Sequence, residues 1–173
     1  MADRQIQVGL LAYGAIGDEH NQAIASTAGL TTVAVCDAKA ERIEAALKIS
    51  PSAKSFGDAD QMLESGLLDL VIISTPPNTH FTWAKKALAL GINVIVEKPM
   101  ALTTNECDEL IALAKSKSLL LSVYQNRRYD SDFLTMQKAI KDGLIGDLFY
   151  IESFVGGYKK PCSLWHSDVL ISG

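Results

Sequence analysis

Glu97-Lys98-Pro99 follows the apolar run Ile92 to Val96 and sets an acid, a base and a proline where a buried strand must end. Burial lowers the proton affinity of a lysine and a neighbouring carboxylate raises it, so Lys98 in partly desolvated space is suited to polarise or protonate a substrate oxygen. The plainer reading of the same residues is an exposed ion pair at a strand end. Pro99 drives Lys98 toward extended backbone and admits a cis Lys98-Pro99 bond.

A second stretch with chemical content is Val8 to Gly17, an apolar run that breaks into Ala12-Tyr13-Gly14-Ala15-Ile16-Gly17 and opens onto a helical pattern. Strand, tight turn and helix N-terminus form an anion site, because backbone N–H groups and the helix dipole converge there. Ala12, Gly14, Ala15, Ile16 and Gly17 are therefore the expected contacts of a pyrophosphate. Against the dinucleotide fingerprint G-x-G-x-x-G, Gly14 and Gly17 match, and Ala12 stands where the first glycine is usual. Asp37 ends the β-branched run Thr31 to Cys36 about twenty residues beyond Gly17, where a carboxylate accepts from the adenosine ribose hydroxyls. Its charge favours NAD over NADP, although Lys39 and Arg42 leave a 2′-phosphate tolerable. On its own, Asp37 reads equally as a strand-ending or helix-capping residue.

Thr75-Pro76-Pro77-Asn78-Thr79-His80 leaves another apolar run, Asp69 to Thr75, and its Thr75 and Pro76 backbone and Asn78 side chain are expected to line the nucleotide. His80 falls in the first turn of a helix and reads as structural, and His20, on the helix after the glycine turn, reads as packing.

For these groups to act together, one sheet edge must carry them all, and the chain has the required alternation. Helices are predicted over Ile16 to Ala28, Ala40 to Ile49, Asp60 to Ser65, from Asn78 or Thr79 as cap to Leu90, from the Thr103/Glu106 capping box to Lys117, and over Ser131 to Asp142. Between them lie strand patterns at Val8 to Leu11, Thr31 to Cys36, Ala53 to Phe56, Asp69 to Thr75, Ile92 to Val96 and Leu119 to Val123. The fold class is α/β, a doubly wound parallel sheet of Rossmann type with its ligand crevice at the strand C-terminal ends. Beyond Tyr124 the pattern changes. Gln125 to Asp130 is polar, Gly143 and Gly146 bracket a turn, and Leu148 to Val155 reads as a strand of different character. The expected organisation is a dinucleotide-binding domain over 1–123 and the incomplete start of a second α/β domain over 124–173.

Composition excludes several classes. With a net charge of -4 and no Lys/Arg block, nothing supports a nucleic-acid or anionic-membrane surface. No apolar run approaches the roughly 18 residues of a membrane span, and a cytoplasmic location is expected. Cys36, Cys107 and Cys162 are far apart without a C-x-x-C, which points to reduced thiols and to no metal site.

Taken together, the Gly9 to Gly17 turn, Asp37, Thr75 to His80, Glu97-Lys98-Pro99, and Asn126-Arg127-Arg128-Tyr129-Asp130 before the Gly143 to Gly146 turn resemble the Gfo/Idh/MocA oxidoreductases along essentially the whole chain. The resemblance implies an NAD(P) Rossmann domain, a following domain with an open, mostly antiparallel sheet that shapes the substrate pocket and builds homo-oligomers, and hydride transfer to or from a secondary alcohol carbon of a sugar or polyol. It implies Lys98 as the catalytic residue, the glycine turn and Asp37 on the cofactor, and Asn126 and Arg127 near the nicotinamide or the substrate entrance, where domain packing is the alternative role. Family members are about twice as long, and their Asp/His acid-base pair lies downstream of Gly173; His166, in Trp165-His166-Ser167-Asp168, does not stand in for it. The expectation for the 173-residue chain is cofactor binding with poor turnover, and either self-association through the unpartnered Leu148 to Val155 strand or local disorder after about Gly156. A non-catalytic dinucleotide sensor or subunit is the competing expectation.

Overall fold

A computed structural model of the chain describes residues 4–154, 156 and 168–172. Six parallel strands form one sheet: β1 (Ile6–Leu11), β2 (Leu30–Cys36), β3 (Lys54–Phe56), β4 (Leu70–Ile73), β5 (Asn93–Val96) and β6 (Leu121–Val123). Their order across the sheet is β3-β2-β1-β4-β5-β6, the doubly wound arrangement whose direction of growth reverses between β1 and β4. Connecting them are α1 (Ala15–Ser26), α2 (Ala40–Ile49), α3 (Ala59–Leu63), α4 (His80–Ala89) and α5 (Thr104–Ser116). Helices α6 (Ser131–Lys141) and α7 (Val169–Ser172) follow the sheet.

Strand alternation divides the core in two. Val8, Leu10, Val35 and Ile72 pack with Ile24 of α1 and Ala46 of α2. Leu11, Val71, Ile73, Val94 and Val96 pack with Ala84 and Leu88 of α4 and Leu110 of α5. A strand covered on both faces is apolar at every position, which is why β4 is an unbroken buried run. α5 begins with the capping box expected from Thr103 and Glu106: the Thr103 hydroxyl accepts from the Glu106 N–H, and the Glu106 carboxylate accepts from the Thr103 N–H.

Two local expectations are corrected. Neither Asn78 nor Thr79 caps α4 with its side chain. A 3-10 turn over Pro77–Thr79 leads into the helix, and the Thr79 hydroxyl turns back to donate to the Pro76 carbonyl. Leu148 to Phe154 form no strand, and Val155 lies outside the described residues. An aromatic and β-branched sequence becomes a strand only when a neighbouring edge takes its N–H and C=O groups, and Phe149 here is 98% exposed. Cys162 and His166 also lie outside the described residues.

Candidate functional site

The strand ends that carry the site are flush. Ladder bonding continues past each strand: the N–H groups of Ala12, Ser74, Glu97 and Tyr124 donate to Cys36, Leu11, Ile73 and Val96 carbonyls at 2.8 to 2.9 Å. Four loops from distant parts of the chain thus leave one sheet edge side by side, at the reversal point where open α/β sheets bind ligands.

At its centre is the turn from β1 to α1. Ala12 has φ +72°, a left-handed conformation that explains why glycine is usual there. Ideal Cβ placement on Gly17 falls 2.8 Å from the Ala12 carbonyl oxygen, so only glycine lets α1 approach the turn this closely. Gly14 is the N-cap and provides no side-chain bond, which leaves the first-turn N–H groups of Ala15, Ile16 and Gly17 available to an anion. Among the described residues, nothing beyond its chain neighbours lies within 4 Å of where a Gly14 Cβ would be. The pyrophosphate of a dinucleotide fits this cradle. Left-handed backbone costs an L-residue about 1 kcal/mol or more, and glycine's extra unfolded freedom returns about 0.4 to 1 kcal/mol of that. Ala12→Gly is accordingly expected to stabilise the fold by about 0.5 kcal/mol, a rise of about 1 to 2 °C in Tm by calorimetry, and a fall in Tm would contradict the strain.

Beneath the turn, the buried Asn21 of α1 ties it down. Asn21 donates to the Tyr13 hydroxyl at 3.0 Å and the Ala46 carbonyl at 3.1 Å, and accepts from Thr32 and Ser50 at 2.8 Å each. Burial raises the Tyr13 pKa, and its hydroxyl stays protonated to donate to Asp18 at 2.9 Å.

Ala12, Asp37, Thr75 and Pro76 meet around a cavity of about 390 Å³, walled also by Arg42 and Trp83. Asp37 is buried and organises its own surroundings. Its carboxylate accepts from the Tyr13 N–H at 2.7 Å and the Lys39 N–H at 2.9 Å, with Arg42 at 3.3 Å. Asp37 therefore pins the glycine turn to β2 in addition to any ribose contact. Burial, with Asp37 and then Asp58 nearby, pushes the Cys36 thiol up to about 11, so it stays protonated at neutral pH.

A second cavity of about 200 Å³ brings Ile16 and Thr75 together with Glu97 and Lys98, and with Ser74, Pro77 and His80. The Lys98-Pro99 bond is cis. Lys98 is exposed at this rim, and among the described residues no carboxylate lies within ion-pair distance of it. Glu97 is buried and turns away to His20, with Oε1 2.8 Å from Nε2. The Glu97–Lys98 ion pair is thus absent, and His20 does more than pack. Asn78 is exposed and lines neither cavity. Asn126 lines a third cleft of about 570 Å³ beside β6 with Tyr124 and Arg128. Arg127 is directed to Asp130 at 2.8 Å, an exposed pair.

Residues 6–125 match the family described as "Oxidoreductase family, NAD-binding Rossmann fold", GFO_IDH_MocA. The chain belongs to the Gfo/Idh/MocA oxidoreductase family. The cofactor of this fold is NAD, and the glycine cradle fits its pyrophosphate. Among this family's members, the uncharacterized oxidoreductase YdgJ of Escherichia coli is 38% identical over 89% of this chain and 44% of its own. The scyllo-inositol 2-dehydrogenase (NADP(+)) IolW of Bacillus subtilis is 32% identical over 83% of this chain and 39% of its own. Among solved structures, an NAD-binding protein from Listeria innocua superposes with TM-score 0.77 at 30% identity, over 83% of this chain and 42% of its own. The myo-inositol 2-dehydrogenase of Lactobacillus plantarum does so with TM-score 0.78 at 25% identity, over 85% and 44%. This chain spans less than half the length of these Gfo/Idh/MocA relatives.

Sequence reasoning missed the bond of His20 to Glu97 and the place of Trp83 in the cavity wall, whereas His80 has the structural role expected of it. His20 lies at the sheet edge on a helix that begins there, and this placement was the available signal. Trp83 carried none, because an aromatic residue on an amphipathic helix reads as core.

Proposed function

We propose that this chain supplies the cofactor half of a dehydrogenase that moves a hydride between NAD and a secondary alcohol or ketone carbon of a sugar, polyol or related metabolite. The observation that carries this reading is Lys98: it shares one cavity with Ile16 of the pyrophosphate turn and Thr75 of the nucleotide loop, on the same sheet edge as Asp37 but across the β1/β4 reversal from it. When bound, NAD supplies the carbon that accepts or returns the hydride. The first-turn N–H groups of α1 hold the pyrophosphate, and the Asp37 cavity holds the adenosine. Lys98, with no carboxylate partner among the described residues, holds the substrate oxygen and takes or returns its proton. Names of relatives, among them two inositol dehydrogenases, support a polyol substrate. Residues 124–173 then begin the substrate domain, Asn126 stands at its junction with the dinucleotide domain, and the complete protein is a homo-oligomer.

Calorimetry on this chain with NAD beside NADP is the direct test. NAD is expected to bind more tightly, because Asp37 repels a 2′-phosphate that Arg42 only partly compensates. Failure of both dinucleotides to bind would refute the reading. A polyol and sugar panel on the full-length protein then separates enzyme from sensor: NAD binding with no substrate turned over would mark a sensor.

A further inference from the structure

Lys98 reaches the cavity on a flexible four-carbon stem, and a dehydrogenase needs its acid-base group held within a fraction of an ångström of one place. The residues on either side of Lys98 are each gripped by a buried histidine from a different helix. Before it, Glu97 Oε1 lies 2.8 Å from Nε2 of His20, on α1. The His20 ring is set edge-on against Tyr124, at 4.4 Å between centroids and 64° between planes. After it, the Pro99 carbonyl lies 2.7 Å from Nδ1 of His80, the first residue of α4, whose Nε2 lies 2.7 Å from the Thr75 carbonyl. A carbonyl oxygen only accepts, so a protonated His80 ring nitrogen donates to the carbonyl it faces, and the ring bridges the Pro99 and Thr75 backbones. His20 is 5% exposed and His80 1%.

We propose that His20 and His80 are positioning residues that lock the Lys98 loop to the two elements carrying the dinucleotide. His20 ties it to α1, whose N-terminus holds the pyrophosphate, and His80 ties it to the Thr75 loop. Docking of the dinucleotide on either element is thereby transmitted to the Lys98 backbone. The inference rests on the reading of Lys98 as the group at the chemical end of the site.

The test uses variants that keep or lose one contact each. His20→Gln retains a donor near the Nε2 position, and His20→Phe keeps the ring but loses the bond to Glu97. His80→Asn retains the donor toward Pro99, and His80→Gln retains only the donor toward Thr75. In the full-length protein, His20→Phe and His80→Gln are expected to lower kcat by about tenfold to a hundredfold, with the NAD dissociation constant little changed, while His20→Gln and His80→Asn restore most of the turnover. Equal kcat across the four variants, or losses confined to Tm and NAD affinity, would overturn the proposal. A readout without turnover or variants uses this chain with its lysines ¹³C-methylated. The Lys98 signal is expected to stand apart from those of the other lysines and to shift when NAD is added. A Lys98 signal indistinguishable from free lysine with NAD bound would sink the positioning role alone, whereas NAD failing to bind would sink the functional reading beneath it.

Discussion

Gly17→Ala is expected to weaken NAD binding by about tenfold or more, equivalent to about 1.4 kcal/mol, while barely moving Tm. The added Cβ would lie 2.8 Å from the Ala12 carbonyl oxygen, a backbone atom that cannot swing aside. Relief requires α1 to retreat from the turn, and the N–H groups that hold the pyrophosphate retreat with it. Stability responds less, because alanine gains about 1 kcal/mol of helix propensity over glycine, which offsets much of the strain. Gly14→Ala makes the contrasting case. That position has extended backbone, φ -85° and ψ -164°, with open space around it, so the fold should not register the methyl group. Any affinity lost on Gly14→Ala then reports steric conflict with the dinucleotide itself. Calorimetric titration and thermal melts of both variants check the pair. NAD binding unchanged in Gly17→Ala would show that the pyrophosphate does not sit on the α1 N-terminus.

Lys98→Met carries the other large effect. The thioether chain fills nearly the same space as the lysine stem but neither donates nor takes a proton. In the full-length protein kcat should fall by about 10²- to 10⁴-fold, the usual span for a general acid-base group, with the NAD dissociation constant held within about tenfold. Lys98→Arg should not rescue turnover. A guanidinium keeps its proton throughout the accessible pH range and so fails to cycle between acid and base. Steady-state kinetics with a turned-over polyol decides the matter. A variant within a few-fold of the parent kcat would remove Lys98 from the chemistry and leave β5 only a scaffold role. Because Glu97 is held by His20 at 2.8 Å, this substitution also leaves no buried carboxylate stranded, so the loss can be assigned to the amine.

How much of this was legible beforehand follows from the range of each interaction. The apolar runs of β4 and β5, the capping box at Thr103 and Glu106, and the break at Pro76-Pro77 are settled among near neighbours in the chain, and they appear in the structure within a few residues of their expected limits. The Leu148 to Phe154 segment shows where local reading fails, since its β propensity is real but a strand also needs an edge to pair with. Ala12 is intermediate. Its mismatch to the fingerprint was visible, but its left-handed φ came only with the fold.

The sequence by itself determined which segments become strands and helices, their order, and the residue types delivered to the strand ends, because propensity, capping and periodicity act over a few residues. Tertiary structure alone decided which of those residues meet. Glu97 lies one residue from Lys98 and 77 from His20, yet it bonds to His20. Asp37 fastens the Tyr13 N–H 24 residues away, and His80 joins Thr75 to Pro99 across two strand ends. The physical reason is the strand order: placing β4 between β1 and β5 sets their C-terminal ends side by side, and adjacency in the sheet, unlike adjacency in the chain, decides which buried polar groups satisfy one another.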